Sequence, residues 1–132
     1  MKAQSSIEYI VMVALLLLFL TPLIYYAFER YSNDIRYNQA TDAVNTVAKA
    51  ADTVYALGPG TKKTVNIVIP SGVQNFTIND NELTLKLQIY ASTSDFVAKT
   101  KVELKENTPL PTKKGIYHIP IEMLDSGEVQ VG

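Results

Sequence analysis

Apolar residues are concentrated near the N-terminus, where residues 9–28 form an uncharged stretch between Glu8 and Glu29. Twenty helical residues span about 30 Å, which is the thickness of the hydrocarbon core of a bilayer. Leucine, isoleucine, valine and phenylalanine fill twelve of these positions, and together they favour insertion by roughly 4–7 kcal/mol. The pattern therefore predicts a membrane-spanning helix over about residues 9–28.

This segment differs from a cleavable secretory signal peptide. A signal peptide has a shorter apolar region followed by small residues at the cleavage site. Here the apolar run is longer, and its second half reads Thr-Pro-Leu-Ile-Tyr-Tyr. We therefore expect the segment to stay in the mature protein. Pro22 either kinks the helix or is simply tolerated in it, and the two outcomes are compatible.

Beyond Glu29 the chain becomes polar but keeps a helical period. Small apolar residues recur at steps of four and three, at Ala40, Val44, Val47, Ala51 and Val54. They form one apolar stripe. Gly58-Pro59-Gly60 ends the pattern with residues that stop a helix. The sequence predicts a single helix over residues 4–57, with local loosening near Asn33, Asp34 and Asn38, which have poor helix propensity.

After Gly60 the apolar period changes to two, which is typical of half-buried strands. The predicted strands are residues 64–69, 73–78, 82–90, 96–104, 116–123 and 129–131, and a proline-rich loop covers residues 107–114. Such strands usually form antiparallel sheets, here a small β-sandwich or a sheet wrapped on the helix. The predicted fold class is α+β: a long N-terminal transmembrane helix packs its C-terminal half against a small antiparallel β-rich head, residues 61–132.

The composition argues against several classes of function. Twelve lysines and arginines balance thirteen acidic residues, so there is no sign of a nucleic-acid partner. The absence of cysteine excludes disulfides and thiolate metal sites. His118 is the single histidine, and residues 79–82 fit a hairpin turn better than a calcium loop. No catalytic grouping is visible, so we predict a structural protein that has no cofactor and no metal and is not an enzyme.

The N-terminal residues before the apolar run allow two interpretations. Ser5 and Glu8 have the spacing of a helix capping box, with an acid that suits the helix dipole. That interpretation accounts for both residues without any processing. It leaves Gln4 unexplained.

The same residues, Gln4-Ser5-Ser6-Ile7-Glu8-Tyr9, resemble the Q-x-S-x-E-Y/F pattern of archaeal class III signal peptides, which belong to type IV pilins. The resemblance implies that a membrane peptidase cuts between Ala3 and Gln4 and removes a leader of residues 1–3. This leader is shorter and less basic than is common in the family, and alanine precedes the cut where glycine is often found. Cleavage would make Glu8 the fifth mature residue and create an α-amino group on Gln4.

The resemblance also implies a function. The chain is expected to be a major or minor pilin of an archaeal type IV pilus-like filament used for adhesion. It would be a cell-membrane precursor first and part of an extracellular filament later. Expected partners are copies of itself, the archaeal prepilin peptidase, the pilus assembly machinery and an unidentified surface or glycan ligand. The alternative is a single-span, membrane-anchored extracellular binding module that does not polymerise.

One modification site is also suggested. Asn75-Phe76-Thr77 matches the Asn-x-Ser/Thr acceptor pattern for N-glycosylation. On an exported domain Asn75 is a reasonable acceptor, although an ordinary strand asparagine explains the triplet equally well.

Overall fold

A computed structural model describes residues 2–132 and has α+β architecture. One helix is followed by seven strands: α1 (Lys2–Leu57), β1 (Lys62–Ile69), β2 (Val73–Asn79), β3 (Glu82–Ile89), β4 (Ser92–Lys99), β5 (Leu104–Glu106), β6 (Gly115–Met123) and β7 (Val129–Val131). The chain divides into two compact units, one ending at Asp34 and the other running from Ile35 to Gly132. Helix α1 contributes to both, and each unit is described separately.

The second unit, hereafter the head, contains two sheets. The first has four strands in the order β1-β6-β7-β5, and the second is the meander β2-β3-β4. All pairings are antiparallel except that of β5 with β7, which is parallel. The expected antiparallel sheet therefore has one exception, at a three-residue strand that joins the first sheet by its edge.

The C-terminal half of α1 packs against these sheets, as the apolar stripe predicts. Eight small side chains from the helix are buried in the core, at Ala40, Ala43, Val44, Val47, Ala48, Ala50, Ala51 and Val54. The strands contribute larger ones, including Ile67, Leu85 and Ile121. Alanine and valine on the helix let the sheets approach closely, and the long strand side chains fill the remaining volume. The helix ends at Gly58, which has a φ of 98° and donates its N–H to the Val54 carbonyl at 3.1 Å.

The predicted strand over residues 96–104 is wrong as a single element. The alternation is real, because Phe96, Ala98, Thr100, Val102 and Leu104 are all buried. The backbone nevertheless leaves the second sheet after β4. Its Thr100 N–H bonds to the Asn81 carbonyl at 2.8 Å, and its Leu104 N–H bonds to the Asp80 carbonyl at 2.7 Å. The chain thus crosses from one sheet to the other while its apolar side chains stay in the same core.

The start of the strand before this crossing also differs from expectation. The alternation places Tyr90 at the end of a strand, but it lies in the two-residue turn between β3 and β4 with a φ of 55°. Strand β4 begins at Ser92, four residues earlier than the pattern indicates. Residues 92–95 of β4 are Ser-Thr-Ser-Asp, so this part of the strand has no apolar alternation to mark it.

Arg36 ties the helix to the β1–β2 turn and to the end of strand β3. Its Nε donates a hydrogen bond to the Ser71 carbonyl at 2.9 Å, and its Nη2 donates to the Gln88 carbonyl. Gly72 lies directly beside the guanidinium, so a Cβ added there would overlap Nη2. Gly72 also has a φ of 88°, a left-handed conformation that residues other than glycine rarely adopt.

We expect Gly72→Ala to lower the free energy of unfolding by about 2–3 kcal/mol, because it adds a clash with Arg36 to the backbone penalty. Gly127→Ala is the matched control, since Gly127 has a φ of 91° and open space around its Cβ position. That variant should cost only about 1 kcal/mol. Urea unfolding of the full chain in detergent micelles measures both. If both variants lose the same free energy of unfolding, the Arg36 side chain moves aside at no cost in stability.

Candidate processing and assembly segment

The six motif residues Gln4–Tyr9 lie in the first turns of α1, and all of their side chains are exposed. Because the helix begins at Lys2, Ser5 lies inside it and is not its N-cap. The capping-box interpretation is therefore wrong in this structure. Gln4 and Glu8 are four residues apart and share one face of the helix, and Ser5 and Tyr9 share the adjacent face.

The Ala3–Gln4 bond, where the resemblance places cleavage, lies in the first turn of the helix. The first four N–H groups of a helix have no partner within it, and terminal turns fray. A side-chain bond within this region, from Ser6 Oγ to the Lys2 carbonyl at 3.2 Å, spans only one turn. The bond therefore lies where the described helix is most easily unwound.

The apolar segment, residues 9–28, presents its side chains outward on every side. Met12 and Phe19 are each 71% exposed, and all twenty residues are exposed. Among the described residues, this helix is the one long and apolar enough to cross a membrane. Soluble monomers rarely expose apolar patches of more than a few hundred Å². Lipid or other protein must therefore cover this surface.

The polar groups inside the apolar segment are consistent with such a covering. The Thr21 hydroxyl donates to the Leu17 carbonyl at 2.7 Å, so its hydrogen does not need water. Pro22 lies within the helix and has no N–H to satisfy. Both residues are of types that transmembrane helices accommodate.

Asn75, the glycosylation candidate, is exposed on β2, which is an edge strand of the three-stranded sheet. It pairs with Lys86 of β3, next to a register shift between Val73 and Asn75. An exposed edge position leaves room for a bulky glycan. The structure therefore makes the site accessible, and occupancy stays a prediction.

We expect Asn75→Gln to remove a glycan-sized increment from the mass of the protein made in a glycosylating archaeal host. The acceptor triplet also needs the hydroxyl at position 77, so Thr77→Ala should remove the same increment and Thr77→Ser should keep it. Intact-mass spectrometry of the unmodified chain and the three variants makes the measurement. If the mass of Asn75→Gln differs from that of the unmodified chain only by the substitution itself, Asn75 carries no glycan.

The remaining residues singled out from the sequence do not form a site. His118 is exposed on β6, with Nδ1 bonded to Oδ1 of Asn66 across the pair of strands. Asp80 and Asn81 form the turn between β2 and β3. Over residues 2–132 no three acidic or histidine side chains come together as metal ligands. Arg36 was not identified from the sequence, because bonds to carbonyls 35 and 52 residues away leave no local signal.

Comparison of the chain with protein-family models, curated proteins and solved structures found no match.

Proposed function

We propose that this chain is the precursor of an archaeal type IV pilin-like subunit. One observation carries the proposal: the motif Gln4–Tyr9 occupies the first turns of a helix in which residues 9–28 are uncharged and exposed. A peptidase recognises the motif at the membrane surface. The apolar segment, residues 9–28, is covered first by lipid and then by the same segment of neighbouring subunits.

Charge along the helix supports a role for Glu8 after processing. Before Arg30, Lys2 is the only cationic side chain. Removal of residues 1–3 takes it away and leaves the new α-amino group of Gln4 as the only cation at this end of the apolar segment. A carboxylate among apolar helices is costly unless a cation pairs with it. Glu8 therefore pairs with the Gln4 amine of a neighbouring subunit and sets the stagger between them.

The fold of the head suits a subunit that polymerises through its helix. Residues 40–54 of the same helix lie in the core of the head, so the head cannot detach from its helix without unfolding. Identical helices packed with a constant stagger generate an open, heterologous filament. Each added copy then brings one folded head.

The test is to express the full chain with an archaeal prepilin peptidase and to shear the cell surface. The proposal predicts sheared filaments whose subunits begin at Gln4, with the mass of residues 1–3 missing. An inactive peptidase is the control, and it should leave the intact precursor in the membrane. If the chain keeps Met1 and never leaves the membrane fraction with active peptidase, the anchored, non-polymerising binding module is the correct function.

A further inference from the structure

Two turns and the start of a strand meet at one end of the head. The β1–β2 turn is at Ser71 and Gly72, and its Gly72 carbonyl accepts the Gln88 N–H at 3.0 Å, close to the β3–β4 turn at Tyr90. Strand β6 begins at this end as well, because Gly115 pairs with Ile69. We call this end, with residues 68–72, 88–91 and 113–116, the turn end.

The turn end combines basic and apolar exposed side chains. Lys113 and Lys114 precede β6, and both are exposed. Val68 and Ile116 are cross-strand partners, and Ile116 is 71% exposed. No acidic residue occurs in the segments that form this end or in the strands that lead to it, which together are residues 64–79, 83–94 and 107–121. Basic residues beside exposed apolar ones are typical of surfaces that bind anionic lipid.

Tyr90 supplies an independent observation. It is 61% exposed at the tip of its turn and has a φ of 55°, where asparagine or glycine would be more stable. The equivalent turn between β2 and β3 has Asp80 at a φ of 49°, a residue type that tolerates this conformation. An aromatic kept exposed in an unfavourable backbone conformation points to a role in binding. Tyrosine is also enriched where proteins meet the headgroup layer.

The chain itself tethers the turn end close to the membrane surface. Arg36, which bonds to the Ser71 and Gln88 carbonyls, follows the last apolar residue, Phe28, by eight positions. Eight residues span at most about 29 Å even when fully extended, and the headgroup layer outside the hydrocarbon core is roughly 5–8 Å thick. Because this tether is so short, the turn end cannot move far from the lipid headgroups, however the two units are arranged. Asp34 and Asp42 flank Arg36 along the helix and offset part of the positive charge.

We propose that the turn end docks on the anionic headgroups of the membrane that anchors the precursor. Lys113 and Lys114 bind lipid phosphates, and Tyr90 and Ile116 enter the interfacial layer. This proposal rests on the membrane anchoring of the apolar segment and is independent of polymerisation.

The absence of tryptophan makes the test direct. Tyr90→Trp places a single fluorescent reporter at the turn end, and Asp125→Trp places one in the exposed β6–β7 turn at the opposite end. Each full-length variant is reconstituted in nanodiscs of neutral or anionic lipid that contain a spin-labelled headgroup quencher. We expect strong quenching of the Tyr90→Trp variant in anionic nanodiscs, weaker quenching in neutral ones and little quenching of the Asp125→Trp variant. High salt should reduce the quenching at position 90.

Charge variants identify the groups responsible. In the Tyr90→Trp background, Lys113→Gln with Lys114→Gln should lower the ratio of docked to undocked heads about thirty-fold in anionic nanodiscs. Lys62→Gln with Lys63→Gln is the matched control, because this pair lies at the opposite end of β1, and it should change the ratio little. Equal quenching in both lipids, or no effect of the Lys113 and Lys114 changes, would overturn the proposal. Quenching that rises with the number of chains per disc would also overturn the proposal, because the turn end would then bind a second copy of the chain.

Two failures are distinguishable. If the chain does not enter nanodiscs at all, membrane anchoring fails and docking fails with it. If it enters and the tryptophan at position 90 stays unquenched, docking alone is overturned, and the filament function is unaffected.

Discussion

Replacing Glu8 by alanine should leave membrane insertion of the precursor intact and reduce filament yield by more than about tenfold. Insertion depends on residues 9–28, which the change does not touch. Assembly would leave the Gln4 α-ammonium group of each subunit without a partner among apolar helices. Removing one member of a buried ion pair costs about 3–5 kcal/mol. Carbonate extraction of membranes measures insertion, and the protein mass of sheared filaments measures assembly.

The chain offers a matched control at the other end of the apolar segment. Glu29→Ala also removes a carboxylate, but cleavage creates no new amine near Glu29 for that carboxylate to pair with. Filament yield from this variant should therefore stay near that of the unmodified chain. Glu8→Asp keeps the charge and should restore part of the yield. Equal filament yield from Glu8→Ala and the unmodified chain would show that the carboxylate has no part in assembly.

Val47→Asp should unfold the head while the apolar segment still inserts. Val47 is fully buried, with 0% exposure, on the face of α1 that packs against the sheets. A carboxylate there loses its hydration and finds no cation, which costs several kcal/mol. A head of this size has a total stability of about 5–15 kcal/mol, so this single change removes much or all of it. Limited proteolysis and near-ultraviolet circular dichroism in detergent would report the loss.

Asn45→Asp is the control for Val47→Asp, because Asn45 is exposed two positions away on the same helix. It introduces the same side chain with little change in helix propensity. Protease resistance should be retained in that variant. If both variants resist protease equally, the helix is not part of the core of the head.

The periodic parts of the fold were predictable from the sequence. The helical stripe from Ala40 to Val54 is confirmed because burial on one face of a helix imposes its period on the residues. Most strand boundaries follow from Gly-containing or Asp/Asn turns such as Gly72 and Asp80. The break after β4 was missed because alternating burial reports which way side chains point. It does not report which strand the backbone bonds to.

The parallel pairing of β5 with β7 and the anchoring by Arg36 have no local signal at all. Strand β5 has only three residues, and its partner lies more than twenty residues away. Arg36 looks like any helical arginine until its carbonyl acceptors are known. For the candidate segment, the motif Gln4–Tyr9 was visible in the sequence, and the structure added its helical conformation and the exposure of its side chains. The proposed pairing of Glu8 would join different chains, so no pattern within one chain encodes its geometry.

The strand order of the head dictates the sequence of events in its folding. The meander β2-β3-β4 is closed by two-residue turns, so it forms from local contacts and forms fast. The four-stranded sheet is different, because β7 lies between β6 and β5 and β1 must wait for β6. A nascent chain therefore emerges with its helix and meander formed, but the four-stranded sheet stays incomplete until residues 129–131 are made. During this interval part of the helix face at residues 40–54 is uncovered, and quality control of the newly made protein would act there.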